Sequence, residues 1–189
     1  DEKLKLGIFD DYNDIDKFLE LTERRNLYVH TSGIVSNIYL SNLKKWDIPI
    51  IKECKEGMLL SSNESYINES INCLFELSLR ITQNIIRRCY LEQYKEIDSD
   101  LISDGVDFII DGNNELGERI FDYALTIPTK FIQEDSKYFF IINKALAQKN
   151  QKKDFKETIK GISWTSLNPI FRFAIAVLQN KYDEAYKLM

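Results

Sequence analysis

The 189-residue chain is poor in the residues that break regular structure, with only 7 Gly and 3 Pro. So few turn formers exclude an all-β fold, whose many tight turns depend on them. No Gly-rich phosphate loop occurs, which excludes a Rossmann-type nucleotide fold. No run of eighteen apolar residues occurs, so the sequence offers no membrane-spanning helix. Residues 1–7 lack the apolar centre of a secretory signal, and the first residue is Asp rather than Met. Cysteine is scarce as well: Cys54, Cys73 and Cys89 are odd in number and form no close pair. The expectation is a reducing cytoplasm, with no zinc site and no other metal. The sequon matches at Asn63 and Asn68 then have no chemical consequence. Positive charge is not in excess, since 25 Lys+Arg face 30 Asp+Glu for a net charge of -5. That excludes a broadly basic nucleic-acid coat and leaves room for a local basic site.

What the chain does have is core material. Hydrophobic residues make up 44% and charged residues 29%, the balance of a globular protein that buries its core without disulfides or metals. The apolar spacing is helical throughout. Residues 12–29 carry apolar side chains at Ile15, Phe18, Leu19, Leu21 and Leu27 with acids and bases between, the spacing of an amphipathic helix, with Asp11 or Asn13 as cap and Gly33 at the end. Asp10, Asp11, Asp14 and Asp16 form a charge cluster at its start. A shorter helix is expected over residues 34–45 through Ile34, Ile38, Leu40 and Leu43. Residues 46–60 are irregular, with Pro49 and Gly57 as breakers. The longest helix is expected over residues 63–91, where Ile67, Ile71, Leu74, Leu77, Ile81 and Ile85 recur and Arg87 and Arg88 suit the C-terminal end.

Beyond Glu92 the texture changes to shorter helices with short joins, over residues 98–111, 114–126, 136–148, 154–162, 168–179 and from 182 onward. Pro128 closes the second of these. The organisation read from this is a bundle over residues 1–92 and antiparallel hairpins over residues 93–189. Ala174, Leu178, Tyr182 and Ala185 have the small–large spacing of a tetratricopeptide-type hairpin, and this end of the chain resembles that family. The gaps between comparable positions are unequal, so no regular array is expected.

The single histidine, His30, belongs to the one set that could carry chemistry. Asn26 lies four residues before it on the same helix face. Arg25 lies five before it, about 140° around the axis, within wrapping distance for a long side chain. Glu23 neighbours Asn26. An imidazole serves as general acid or base near neutral pH. A guanidinium holds a phosphate bidentately and stabilises charge on phosphorus. An amide orients either group. These are the parts of a metal-free RNA cleavage in which the RNA 2′-hydroxyl is the nucleophile. The plain alternative also stands: His30 caps carbonyls near the helix C-terminus, and Arg24 and Arg25 are surface charges paired with Glu20 or Glu23.

Arg25-Asn26 followed after three residues by His30 resembles the signature of the HEPN superfamily (higher eukaryotes and prokaryotes nucleotide-binding). The flank Glu23-Arg24-Arg25-Asn26-Leu27, then Val29-His30, Gly33-Ile34-Val35 and Tyr39-Leu40, is similar to bacterial members. The likeness spans roughly residues 11–40, with weaker helical agreement to about 91. It implies an all-α bundle and a metal-independent endoribonuclease, without cofactor, in toxin–antitoxin or antiviral defence. It implies a homodimer in which two copies of the motif build one composite site. Carried over, His30 is the acid/base, Arg25 the phosphate ligand, Asn26 the orienting amide and Glu23 the upstream polar residue. The chain departs from the family at Ser32, where some toxins carry a modifiable Tyr, and in having only about ten residues before the motif helix. RNA contacts are expected from Arg24, Lys44 and Lys45, and a protein partner from the C-terminal helices. The non-catalytic alternative is a helical module that docks proteins or senses RNA or a nucleotide.

Other patterns carry less. Asp107, Asp111, Gly112 and Glu118 mimic a calcium loop, but Ile109 occupies a position that should supply oxygen. The pair Arg87-Arg88 and the group Lys149, Lys152, Lys153 and Lys156 are candidate phosphate contacts or solvated faces. Phe139, Phe140, Phe171 and Phe173 suit a core better than a base-stacking platform.

Overall fold

The computed structural model describes residue 12 and residues 14–48, 54–90 and 92–189. Asp10, Asp11, Asn13, Pro49 and Leu91, each given a role above, lie outside them. Among the described residues the chain is all-α, and its one extended pairing is an antiparallel bridge between Ile34 and Leu59. No helix among them is long and apolar enough to cross a membrane. The chain divides into two compact units, Asp1–Ile81 and Thr82–Met189. The division falls inside a helix, whereas the change of sequence texture at residues 92–96 coincides with the next join.

In the first unit, α1 (Ile15–Thr31) starts after Asp14 and carries Asp16 in its first turn, where acidic charge suits the helix dipole. It stops at two left-handed residues, Ser32 at φ 52° and Gly33 at φ 85°. The Gly33 N–H donates to Leu27 O at 3.3 Å. A Cβ at Gly33 would lie 2.9 Å from the Tyr28 ring, so glycine is needed there for space as well as for φ.

The chain then runs extended, and this corrects the expected second helix. α2 (Asn37–Lys45) begins three residues late, because residues 33–35 pair with residues 57–60. Val35 N–H donates to Met58 O at 2.8 Å, Gly57 N–H to Val35 O at 2.9 Å and Leu60 N–H to Gly33 O at 2.9 Å. Ser36 caps the helix, its hydroxyl accepting from Tyr39 N–H. The shift rotates the buried face. Val35, Tyr39 and Leu43 pack with Leu27 and Ile48, while Ile34 and Ile38 are exposed.

α3 (Glu64–Cys89) buries only part of the expected stripe, with Leu77 in a core cluster and Ile81 packed against it. Ile67, Ile71, Leu74 and Ile85 are exposed, and the buried side carries Cys73, Glu76, Leu77, Arg80, Gln83 and Arg87. Buried charge is tolerated only when paired. Arg80 meets Glu76 at 2.8 Å, and its guanidinium lies 5.1 Å from the Tyr12 ring centroid.

The second unit takes the last turns of α3 and continues with α4 (Tyr94–Ile110), α5 (Asn114–Thr126) and α6 (Ser136–Asn150), each packed on the next. Asn113 caps α5, accepting from Leu116 N–H. α4 and α5 cross closely at two glycines: a Cβ on Gly105 would lie 2.5 Å from Phe121, and one on Gly117 would lie 2.6 Å from Ile109. Arg87 is not a surface charge. It is buried, donating to Asp98 Oδ1 at 2.6 Å and Phe131 O at 2.7 Å, while Asp98 Oδ2 accepts from Gln133 N–H. The pair ties the loop before α6 to α4.

The helix expected over 154–162 shrinks to α7 (Lys156–Ile159). α8 (Pro169–Leu178) starts on Pro169 with Asn168 as cap, and α9 (Tyr182–Tyr186) follows. Phe171, Ile175 and Leu178 pack with Ile141, Ile142, Ala145 and Ile159. Phe139 and Phe171 meet edge to face at 4.9 Å, and Phe139, Phe140 and Phe171 fill the core as expected, while Phe173 is half-buried. Leu178 and Ala185 of the hairpin spacing are buried, but Tyr182 is exposed. Asp107 and Ile109 lie within α4, and Glu118 accepts from Gln148, Gln151 and Lys153.

Candidate functional site

α1 presents three faces. The buried one carries Glu20, Arg24, Leu27 and Thr31, spaced at one helical turn. Arg24, expected to touch RNA, is buried. Its Nε donates to Glu20 Oε1 at 2.7 Å, and its guanidinium lies 3.8 Å over the Tyr66 ring. The pair with Glu20 was legible as an i, i+4 spacing, but the surface position read from it was wrong.

Glu20 is the residue that sequence reasoning missed. Besides Arg24 it accepts from Tyr39 OH at 2.8 Å and Tyr66 OH at 2.9 Å. One carboxylate therefore ties α1 to α2 and α3. Burial and the Glu20 charge push both phenols well above the usual tyrosine range, so both remain protonated donors. Burial works against the Arg24 charge, but Glu20 outweighs it and holds the Arg24 pKa above its ordinary value. Neither tyrosine's bond to Glu20 has a local sequence signal, since the partner is distant in the chain.

The second face carries Glu23, Asn26 and His30. His30 is exposed in the last turn and makes no hydrogen bond or ion pair among the described residues. Asn26 lies one turn before it. Glu23 Oε2 accepts from Asn42 Nδ2 at 2.8 Å, which fastens α1 to α2. The third face carries Leu21, Arg25, Tyr28 and Val29. Arg25 is exposed, and its Nη1 reaches back to Asn26 Oδ1 at 3.1 Å. The guanidinium thus lies against the amide of its neighbour Asn26. Among the four expected catalytic residues, Arg25 and Asn26 are in contact, His30 shares the Asn26 face, and Glu23 is held by α2.

The end of α1 that carries His30 is fixed. Thr31 Oγ1 lies 2.8 Å from Leu27 O and 2.7 Å from Ile34 O, and Tyr28 OH donates to Leu60 O. Beside Arg25 runs an apolar groove of about 350 Å³ between α1 and the start of α3, lined by Leu21, Val29, Ile67, Ile71 and Leu74. Lys44 and Lys45 are exposed in the last turn of α2, with Lys45 Nζ 5.3 Å from the Trp46 ring. Among the described residues no group of His, Cys, Asp or Glu is placed to hold a metal ion.

No protein-family model, curated protein or solved structure matches the chain.

Proposed function

We propose that the chain is a metal-independent endoribonuclease of HEPN type acting in the cytoplasm, in bacterial defence or as a toxin. The observation that supports it most is the Arg25–Asn26 contact beside an exposed, unengaged His30. In this reading the RNA 2′-hydroxyl attacks the adjacent phosphorus and the P–O5′ bond breaks. A 2′,3′-cyclic phosphate and a 5′-hydroxyl result. His30 takes the 2′-hydroxyl proton or supplies the proton that the leaving oxygen needs. Arg25 neutralises the phosphoryl charge, and the Asn26 amide orients phosphate or imidazole. Glu23 acts through Asn42, by fixing the helix. Arg24 holds the bundle together instead of touching RNA, and Lys44 and Lys45 are the exposed cations left for phosphates.

A second copy completes the site. The groove beside Arg25 and the exposed Val29, Ile67, Ile71 and Leu74 form an apolar surface next to the motif, which a homodimer would cover. The same surface also favours the second reading, a non-catalytic module that docks another protein there.

The test is cleavage of total RNA and a tRNA pool in EDTA by the parent and by His30→Ala. Cleavage by the parent alone, with cyclic phosphate ends, is expected, and the loss in the variant should exceed about 100-fold. No cleavage by either folded protein would favour the docking module. Equal cleavage by both would sink the assignment of His30.

A further inference from the structure

The second unit holds a cavity of about 640 Å³ that the proposed reaction does not use. Its floor is apolar. Ile159 and Leu178 are buried there, and Phe155 and Trp164 are half-buried. Trp164 is not free to turn: its indole N–H donates to Ile159 O at 3.0 Å, and its ring meets Tyr138 edge to face at 6.0 Å. A fixed, partly open indole is a platform for a planar ring.

The rim is basic. Lys156, Lys160 and Lys181 line it, against one acid, Glu157. Three cations less one anion leave +2 in the lining of a chain whose net charge is -5. Lys160 is engaged by Glu157 at 3.0 Å, and Lys181 is held loosely by Glu184 at 3.8 Å. Lys156 is exposed, and its ammonium has no partner among the described residues. Asp154 is turned to the backbone, accepting from Lys156 N–H. Lys149 is spent on Val177 O, Leu178 O and Asn180 Oδ1, which fixes the turn that carries Lys181.

An aromatic floor under a cationic rim selects a ligand with both a planar ring and negative charge. An inorganic anion leaves the floor unused, and a neutral apolar ligand leaves the lysines unused. We propose that this cavity binds a nucleoside phosphate, with the base against Trp164 and Phe155 and the phosphate at Lys156 and Lys181. The ligand is either a free nucleotide or one residue of an RNA strand. The volume lies within the usual 300–1,000 Å³ range of small-ligand sites. The inference does not depend on His30.

The test is calorimetric titration of the full chain, at about 50 mM salt, with UMP, ATP, inorganic pyrophosphate, decauridylate and a short Trp–Glu peptide. UMP, ATP or decauridylate should bind, and the combined Lys156→Ala, Lys181→Ala variant should weaken that binding by about tenfold or more with unchanged circular dichroism. His30→Ala should bind UMP and ATP as the parent does, and decauridylate is titrated into His30→Ala with and without the lysine changes, which separates this site from the cleavage reading. Tighter binding of decauridylate than of UMP assigns the site to RNA, and comparable binding assigns it to free nucleotides. Three outcomes would overturn the proposal: no nucleotide binding at millimolar concentration, equal binding by the lysine variant, or preference for pyrophosphate or the peptide.

Discussion

Two junctions of three helices hold this molecule, and they are built on opposite principles. Where α1, α2 and α3 meet, one half-buried carboxylate gathers a guanidinium and two phenols. Where α4, α5 and α6 meet, Gly105 and Gly117 let backbones approach, and Phe121 and Phe140 lie with ring centroids 6.4 Å apart in a fully buried layer. The first junction depends on matching of charge and hydrogen bonds, the second on shape. A polar junction fails when one partner is lost, because the survivor is buried unpaired. A packed junction fails by degrees, with volume.

The sharpest way to break the comparison is at Glu20. Glu20→Ala should cost about 3–5 kcal/mol, since it strands the Arg24 charge, whereas the double change Glu20→Met, Arg24→Met should recover most of the loss. Trp46 lies in the first unit and Trp164 in the second, so urea unfolding read by fluorescence of single-tryptophan variants reports each junction separately. The loss should appear at Trp46. A double variant as weak as Glu20→Ala would show that the pair is more than a matched burial.

The second junction should respond less steeply. Gly105→Ala places a methyl 2.5 Å from Phe121, and overpacking of that kind costs about 1–3 kcal/mol. The change should lower the Trp164 midpoint and spare the Trp46 one. An unchanged Trp164 midpoint would mean that α4 and α5 separate without cost, which the packing does not allow.

The smallest effect belongs to Glu118. Burial acts to raise its pKa, but hydrogen bonds from Lys153, Gln148 and Gln151 outweigh it and hold it below the ordinary 4.5. A depressed carboxylate stabilises the fold above its unfolded pKa, and that contribution is lost as pH falls through the lower folded value. The stability gap between the parent and Glu118→Gln should therefore be full at pH 7 and shrink below pH 4.5. A gap independent of pH would remove Glu118 from the acid response.

Much of the architecture was legible because helical periodicity is a local property. α5 matches the expected bounds, and α1 and α6 differ from theirs by a few residues, since caps and breakers are neighbours in sequence. The failures have a common cause in distant partners. Ile34 belongs to the helical pattern of its own segment, yet pairing with Leu59 draws it out of α2. α3 has an apolar stripe by every local measure, yet its buried side is the one that Tyr12 and Asp98 satisfy with hydrogen bonds and charge. At the candidate site, Arg25, Asn26 and His30 could be named from spacing on one helix, but the contact between the first two could not, since adjacent helix residues do not face each other. Glu20 could not be identified as the centre of the junction, because Tyr39 and Tyr66 lie 19 and 46 residues away.

The short pairing of residues 33–35 with residues 57–60 also bears on time. The amides of Gly33, Val35, Gly57 and Leu60 are all engaged where α1 ends, so that end cannot fray as most helix termini do on the nanosecond scale. Releasing it requires the loop and the helix end to open together, a rarer event that hydrogen exchange reads as protection. His30 is thus carried on a helix end whose backbone is tied to a second segment of the chain.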